Sequence, residues 1–341
     1  MASPPLLDFP ALLAPIPGPN AAGDAIPFPV REKFEEGRKE ENPDDYKPDD
    51  PQRPAVAKKA DWAGIAKLAS ETLRGTAKDL QSAARLTEAL VKLNSFAGLR
   101  DGIRLLREMV EQCWDRLYPP LEDGDVEVRA GPFYWLDDAE RGARFPYTVR
   151  CAPLLKSENR SFSRQDWDLS KEGKGTVSRE DFDKAIAAAT LPDVQTSADD
   201  VAGARDEIGK LVKSLAAKMG PAAPALTALR QAVDDCQWLA QHILQRKRPA
   251  EAPAAEKSAD GKPAGPAKPA STRAEVYRQL SQAANTLREL EPHSPIPYLI
   301  QRAVDLGGLT FPDLIKELVR DAKIVGEMNR ELGIKEPPAK K

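Results

Sequence analysis

Few residues in this sequence could act in catalysis or bind a metal. His242 and His293 are the only histidines, and Cys113, Cys151 and Cys236 are the only cysteines. No pair of them has the spacing of metal ligands, and the HExxH, P-loop, GxGxxG and GxSxG motifs do not occur. The many carboxylates lie on segments predicted to be mobile or on the surfaces of helices. The sequence does not indicate a group of them that would come together for acid–base catalysis. The sequence therefore predicts a protein that is not an enzyme and needs no metal or cofactor.

Each histidine has a structural explanation. His242 lies in QHILQRKR, near the basic end of a predicted helix, where a solvent or helix-dipole role is expected. His293 lies just before a helix that begins with Ser294 as N-cap and Pro295 at its first position. No other histidine or cysteine is near His293 in sequence. A site formed by His293 and Tyr298 remains the alternative to a plain helix start.

One segment, DLSKEGKGTVSREDF, resembles a calcium-binding EF-hand loop. Placing Gly175 at the required sixth position makes Ser170, Glu172 and Lys174 the first three ligands, and Asp181 the last. A lysine at a ligand position and the missing first aspartate argue strongly against calcium. The segment is better explained as a glycine-rich turn before a helix that Ser178 caps, with Asp181 completing a capping box.

Composition excludes several classes of protein. The chain has 341 residues, enough for two or three domains, and a net charge of −3, which gives no support to nucleic-acid binding. It lacks a long apolar run and a basic region before its first apolar residues, so neither a transmembrane helix nor a signal peptide is expected. Three scattered cysteines fit a reducing compartment. We therefore expect a cytoplasmic location without insertion into a membrane.

Apolar residues recur at helical spacing along most of the chain, which predicts a mainly α fold. We expect a multi-module protein of antiparallel helical hairpins or bundles joined by proline-rich linkers. Helices are predicted at 30–41, 61–73, 80–93, 99–117, from 178, and as a hairpin over 198–246 broken at 219–221. Gly102 indicates either close packing of a neighbouring helix or a tolerated glycine. The aromatic stretches 131–138 and 145–155 are expected to be short strands or core-packing loops.

The domain boundaries follow from changes in composition. The chain has 31 prolines, and several of them lie in the segment 249–270. This segment contains no Leu, Ile, Val or aromatic residue, so it is predicted to be a linker. The predicted organisation is a mostly extended, proline-rich segment at 1–58, a helical domain at 59–175, a helical hairpin module at 176–248, a linker at 249–270, a three-helix module at 271–335 and a tail at 336–341.

The first half of the chain resembles a known family. LLAPIPGPNAAGDAI, DWAGIAKLASETL and the long stretch from Lys78 to Pro119 are similar to the ImpA N-terminal domain, which is found in TssA-type subunits of the bacterial type VI secretion system. The resemblance covers about residues 8–155 and includes both the 1–58 and 59–175 segments. The residues taken as family motif or core are Pro15, Pro17, Gly23, Asp24, Asp61, Trp62, Lys78, Asp79, Leu80, Gly98, Leu99, Gly102, Leu106, Trp114 and Pro119.

This resemblance implies a non-enzymatic, cytoplasmic and oligomeric assembly factor. TssA-like proteins engage the baseplate, the membrane complex, the tube and the sheath of the secretion apparatus. An accessory adaptor at the sheath end or membrane side, or an unrelated helical scaffold, is the alternative. The large ring-forming C-terminal domain of some TssA proteins is not evident after the linker.

The C-terminal module is expected to form a homo-oligomer, because three apolar-faced helices in about 70 residues leave apolar surface uncovered. The candidate oligomerisation face consists of Ile296, Tyr298, Leu299, Ile300, Ala303, Val304, Leu314, Ile315 and Leu318.

Overall fold

The computed structural model describes residues 1–121, 123–141, 144–157, 160–247, 273–290, 295–307, 309 and 314. The chain divides into two compact units, Met1–Ala250 and Glu251–Lys341. In the described residues most of the chain is helical, and the only sheet has two strands. The predicted mainly α fold is confirmed.

Two helices interrupt the N-terminal segment that was expected to be mostly extended. These are α1 (Phe9–Leu13) and α2 (Phe28–Arg38), the second being the helix predicted near residue 30. Phe9, Leu12 and Phe34 are buried in the core of the first unit. The segment is therefore anchored by apolar side chains in spite of its prolines.

Helix α3 (Trp62–Gly75) begins where the sequence predicted it. The Asp61 side chain accepts a hydrogen bond from the backbone N–H of Gly64 at 2.8 Å and so caps the helix. Ile65, Ala69 and Leu73 form its buried face. This spacing of four residues is the one expected of a helix that buries one side.

Helix α4 (Leu80–Gln112) is interrupted at Ser95, whose φ of 55° and ψ of −131° are not helical. A Cβ atom on Gly98 would lie 2.1 Å from the carbonyl oxygen of Leu90, and one on Gly102 would lie 2.7 Å from the side chain of Thr87. The two halves therefore fold back on each other. They correspond to the two helices predicted at 80–93 and from 99 onward, and Gly102 is explained by close packing.

The prediction for the aromatic stretches was largely wrong. Residues 131–138 contain the helix α5 (Gly131–Asp137), and residues 145–155 contain α6 (Phe145–Arg150) before the strand β1 (Pro153–Lys156). Pro132 and Pro146 lie in the first turn of their helices, where a proline is tolerated. Strand β1 pairs with β2 (Ser161–Ser163) in an antiparallel ladder with an irregularity between Pro153 and Leu155.

Two short helices follow, α7 (Arg164–Lys171) and α8 (Arg179–Ala188). The capping box predicted at the start of α8 is present: the Ser178 hydroxyl accepts from the backbone N–H of Asp181, whose carboxylate accepts from the Ser178 N–H at 2.9 Å. The carboxylate that would be the last ligand of an EF-hand loop therefore serves as a helix cap. Gly175 has a φ of +81° and forms the turn before it.

Two long helices complete the first unit, α9 (Leu191–Met219) and α10 (Thr227–Lys247), and the predicted break between them is confirmed. Helix α9 packs against α4 and α10. Ion pairs support the contact with α4: Arg100 Nη1 lies 2.7 Å from Asp200, and Arg107 Nε lies 2.7 Å from Glu207. The predicted boundary between 175 and 176 stays a prediction.

In the second unit, α11 (Arg273–Leu290) packs against α12 (Ile296–Gly307). Ala284 is fully buried, and a Cβ on Gly307 would lie 2.3 Å from the Tyr277 ring. Helix α12 begins at Ile296, one residue after the predicted position. Ser294, His293, the linker and the part of the predicted three-helix module after Gly307 lie outside the described residues, apart from Leu309 and Leu314.

Candidate assembly surfaces

In the part of the chain that the structure describes, no three His, Cys, Asp or Glu side chains lie together as metal ligands would. Among the described helices, none has the length and apolarity needed to cross a bilayer. Cys113 and Cys236 are buried, and burial raises the pKa of both thiols, that of Cys236 to about 12. These two thiols remain protonated near neutral pH and pack as small apolar groups.

His242 packs on an aromatic cluster that the sequence did not predict. Its ring lies parallel to that of Trp238, with centroids 5.4 Å apart, and also contacts Trp167. Burial, followed by the positive charge of Arg246, lowers the pKa of His242. The i, i+4 spacing of Trp238 and His242 on α10 was the available signal. Trp238 stays 51% exposed, while Trp167 is buried.

Lys78, one of the predicted motif residues, is fully buried. Its Nζ atom donates to the carbonyl oxygens of Leu12 and Leu73, both at 2.6 Å. Burial, reinforced by the charge of Arg116, lowers the pKa of Lys78 to about 8. A single side chain thus ties the end of α1 to α3 and to the start of α4.

Backbone hydrogen bonds join three segments at the same place. The Asp24 N–H donates to the Thr76 carbonyl at 2.9 Å, the Lys78 N–H to Ala22 at 2.9 Å, and the Tyr118 N–H to the Lys78 carbonyl at 2.8 Å. Leu80 in turn donates to the Tyr118 carbonyl at 3.1 Å. Asp79 caps α4 by accepting from the Ser82 N–H at 2.6 Å. Residues 22–24, 76–80 and 118 form one junction.

Replacing Gly23 with alanine should lower the free energy of unfolding by about 3 kcal/mol. Gly23 has a φ of +79°, and a Cβ there would lie 2.0 Å from the Thr76 carbonyl oxygen, so the junction must open. Gly124 is the matched control, because it has a φ of +78° and nothing within 4 Å of its Cβ position. Gly124→Ala should cost only about 1 kcal/mol. Equal losses in urea denaturation would show that the contact with Thr76 is unimportant.

Most of the other predicted motif residues also lie inside the protein. Leu80, Leu99 and Leu106 are fully buried, and Trp114 is 8% exposed. Trp62 and Pro119 are partly buried, whereas Pro15 and Pro17 are exposed in the loop after α1. Asp24 and Asp61 are exposed as well. The buried motif residues thus belong to the interior, and an assembly surface has to be sought among exposed residues.

The predicted oligomerisation face is on the surface of the second unit. Ile296, Tyr298 and Leu299 are 48%, 58% and 59% exposed, and Ala303 is exposed as well. Ile300, Val304 and Leu314 are partly exposed, and Ile315 and Leu318 lie outside the described residues. Neighbouring apolar residues of α11, Val276 and Leu280, are 46% and 40% exposed. Within the described residues of this unit, α12 therefore presents large apolar side chains to solvent.

Comparisons with known proteins agree with the resemblance noted in the sequence. The family model described as ImpA, N-terminal, type VI secretion system matches residues 13–138. The chain is 28% identical to the type VI secretion system component TssA1 of Pseudomonas aeruginosa, over 93% of this chain and 96% of that protein. A solved structure of the N-terminal domain, including the ImpA_N region, of the TssA component from Burkholderia cenocepacia has a similar fold. Its TM-score is 0.59 at 24% identity, covering 70% of this chain and 94% of that one.

Proposed function

We propose that this chain belongs to the TssA family, with an ImpA N-terminal domain at residues 13–138, and is a non-enzymatic assembly component of type VI secretion. The observation that carries the proposal is the similarity to a type VI secretion component over almost the full length of both proteins. The relative's N- and C-terminal regions are both included in that alignment. The similarity therefore extends beyond one shared domain.

The proposed role is to bind baseplate, membrane-complex, tube or sheath subunits in the cytoplasm while the secretion apparatus is built. The exposed apolar face of α12 supports a function based on protein contacts, because such surfaces on soluble proteins mark interaction sites. In this proposal the same face joins copies of the chain into a homo-oligomer. The N-terminal unit is then left available to bind other subunits.

Deleting the gene should abolish sheath assembly in the source bacterium, and the wild-type gene supplied in trans should restore it. A fluorescent fusion distinguishes two roles. A priming factor arrives before the sheath and travels with its growing end, whereas an accessory adaptor arrives late and stays at one position. Normal sheath assembly in the deletion strain, together with failure to copurify with any of these subunits, would exclude the proposed function.

A further inference from the structure

A cavity of about 540 Å³ lies between α2, the start of α4 and residues 118–120. We call it the α2–α4 cavity. Its volume falls within the range of roughly 300–1,000 Å³ that is typical of ligand sites. Apolar atoms form most of its accessible wall, and the residues that line it include Ile26, Phe34, Tyr118, Pro119, Pro120 and Pro132. It is open to solvent and large enough for more than one side chain.

Arg85 places a positive charge in this apolar wall. It is only 8% exposed, and its guanidinium lies over the Trp135 ring at 4.0 Å from the centroid. Its Nη2 atom donates to Glu35, but its buried Nη1 atom has no hydrogen-bond partner among the described residues. Burial, with the nearby charge of Arg38, lowers the pKa of Arg85. An unsatisfied donor on a buried cation is costly, and a bound acceptor would relieve that cost.

The carboxylates around the cavity are already engaged. Glu88 binds Arg38 through two hydrogen bonds, and Glu35 is shared between Arg38 and Arg85. Asp79 caps α4; its burial raises its pKa, against the opposing effects of the Ser82 hydrogen bonds and the charge of Arg31. These carboxylates therefore already have partners, and none of them bonds the Nη1 atom of Arg85.

A second guanidinium, that of Arg31, lies at the edge of the cavity. Arg31 lines the cavity from the exposed side of α2, and its guanidinium forms no ion pair within the described part of the chain. Arg31 and Arg85 thus place two guanidinium groups beside the apolar wall, one exposed and one with an unpartnered Nη1 atom. The complementary ligand combines a carboxylate with bulky apolar groups.

We propose that the α2–α4 cavity receives a segment of a partner polypeptide in which an acidic side chain adjoins bulky apolar ones. The apolar side chains fill the space beside Phe34 and the prolines, and the carboxylate pairs with the guanidinium groups of Arg31 and Arg85. The choice of a polypeptide as the occupant rests on the assembly function proposed above. Because binding is measured on purified protein, its failure is distinguishable from failure of the secretion role.

The probes are two blocked peptides, acetyl-Phe-Glu-Leu-amide and its neutral counterpart acetyl-Phe-Gln-Leu-amide. Amide chemical shifts of the full chain, recorded by NMR during titration, report where each peptide binds. The acidic peptide should cause saturable shifts at Phe34, Ser82 and Arg85, and the neutral peptide should bind about tenfold more weakly. Equal affinity of the two peptides, or shifts only elsewhere, would overturn the proposal.

Two variants on the exposed surface of α2 provide a matched comparison. Arg31→Glu and Lys33→Glu make the same change of charge on the same helix, but only Arg31 lines the cavity. Arg31→Glu should weaken binding of the acidic peptide about tenfold, whereas Lys33→Glu should change it less than twofold. If both variants weakened peptide binding equally, the loss of affinity would come from long-range charge, and a site in the cavity would be contradicted. Both residues are exposed, so neither variant is expected to unfold the protein.

Discussion

Replacing Lys78 with methionine should lower the free energy of unfolding of the first unit by about 2–4 kcal/mol. Methionine keeps most of the volume of the side chain but cannot donate a hydrogen bond. The carbonyl oxygens of Leu12 and Leu73, each 2.6 Å from Nζ in the wild type, would lose this buried donor. All five tryptophans have numbers between 62 and 238, so urea denaturation followed by tryptophan fluorescence measures this unit alone.

The control for Lys78→Met is Lys67→Met on α3, where the lysine side chain is 77% exposed. The control should change the free energy of unfolding by less than about 0.5 kcal/mol. A loss of similar size in both variants would mean that the two carbonyl contacts of Lys78 do not stabilise the junction.

The difference in free energy of unfolding between the wild type and Lys78→Met should also depend on pH. Burial lowers the pKa of Lys78 to about 8 in the folded protein, from the ordinary lysine value of 10.5. Between these values the unfolded chain binds more protons than the folded one, so the contribution of Lys78 to stability increases with pH. The difference in free energy of unfolding between wild type and Lys78→Met should therefore grow from pH 7.5 to pH 9.5. A difference that shrinks over this range would contradict a lowered pKa.

Local signals explain which helix boundaries could be predicted. Asp61 and Ser178 cap their helices through hydrogen bonds that reach only three residues, so the sequence pattern contains the whole interaction. The strand or loop expected at 131–138 from its aromatic content was wrong, because the stretch forms the helix α5. Phe133 and Leu136, three residues apart, are both fully buried on one side of α5. The spacing of these two residues was therefore the local signal for the helix.

The contacts of Lys78 and the α2–α4 cavity both depend on residues that are far apart in the sequence. Lys78 is identified as important by the resemblance, but its bond to Leu12 spans 66 residues and cannot be derived from local pattern. The α2–α4 cavity is lined from residues 25–35, 79–85, 118–120 and 132, and no periodicity in one segment indicates it. By contrast, the apolar stripe on α12 is a local property, and its exposure was expected because the module is small.

Replacing Leu299 with aspartate should dissociate the proposed homo-oligomer into smaller species. Leu299 is 59% exposed in the described unit, so the substitution leaves the fold of α11 and α12 intact. In an oligomer the leucine would lose about 1.5–3 kcal/mol of apolar burial at each contact, and a buried unpaired carboxylate would cost more. Light scattering coupled to size-exclusion chromatography measures the mass. The wild type should elute at a multiple of 37.3 kDa and the variant near a single chain.

The control is Leu93→Asp, which makes the same chemical change at a side chain that is 44% exposed on α4 in the first unit. If the α12 face holds the copies together, this variant keeps the wild-type mass at the same protein concentration. A wild type that elutes as a single chain would refute the oligomer. Equal dissociation by both substitutions would place the contact outside α12. Loss of assembly only in Leu299→Asp would link the apolar face to oligomerisation, since the two variants carry the same added charge.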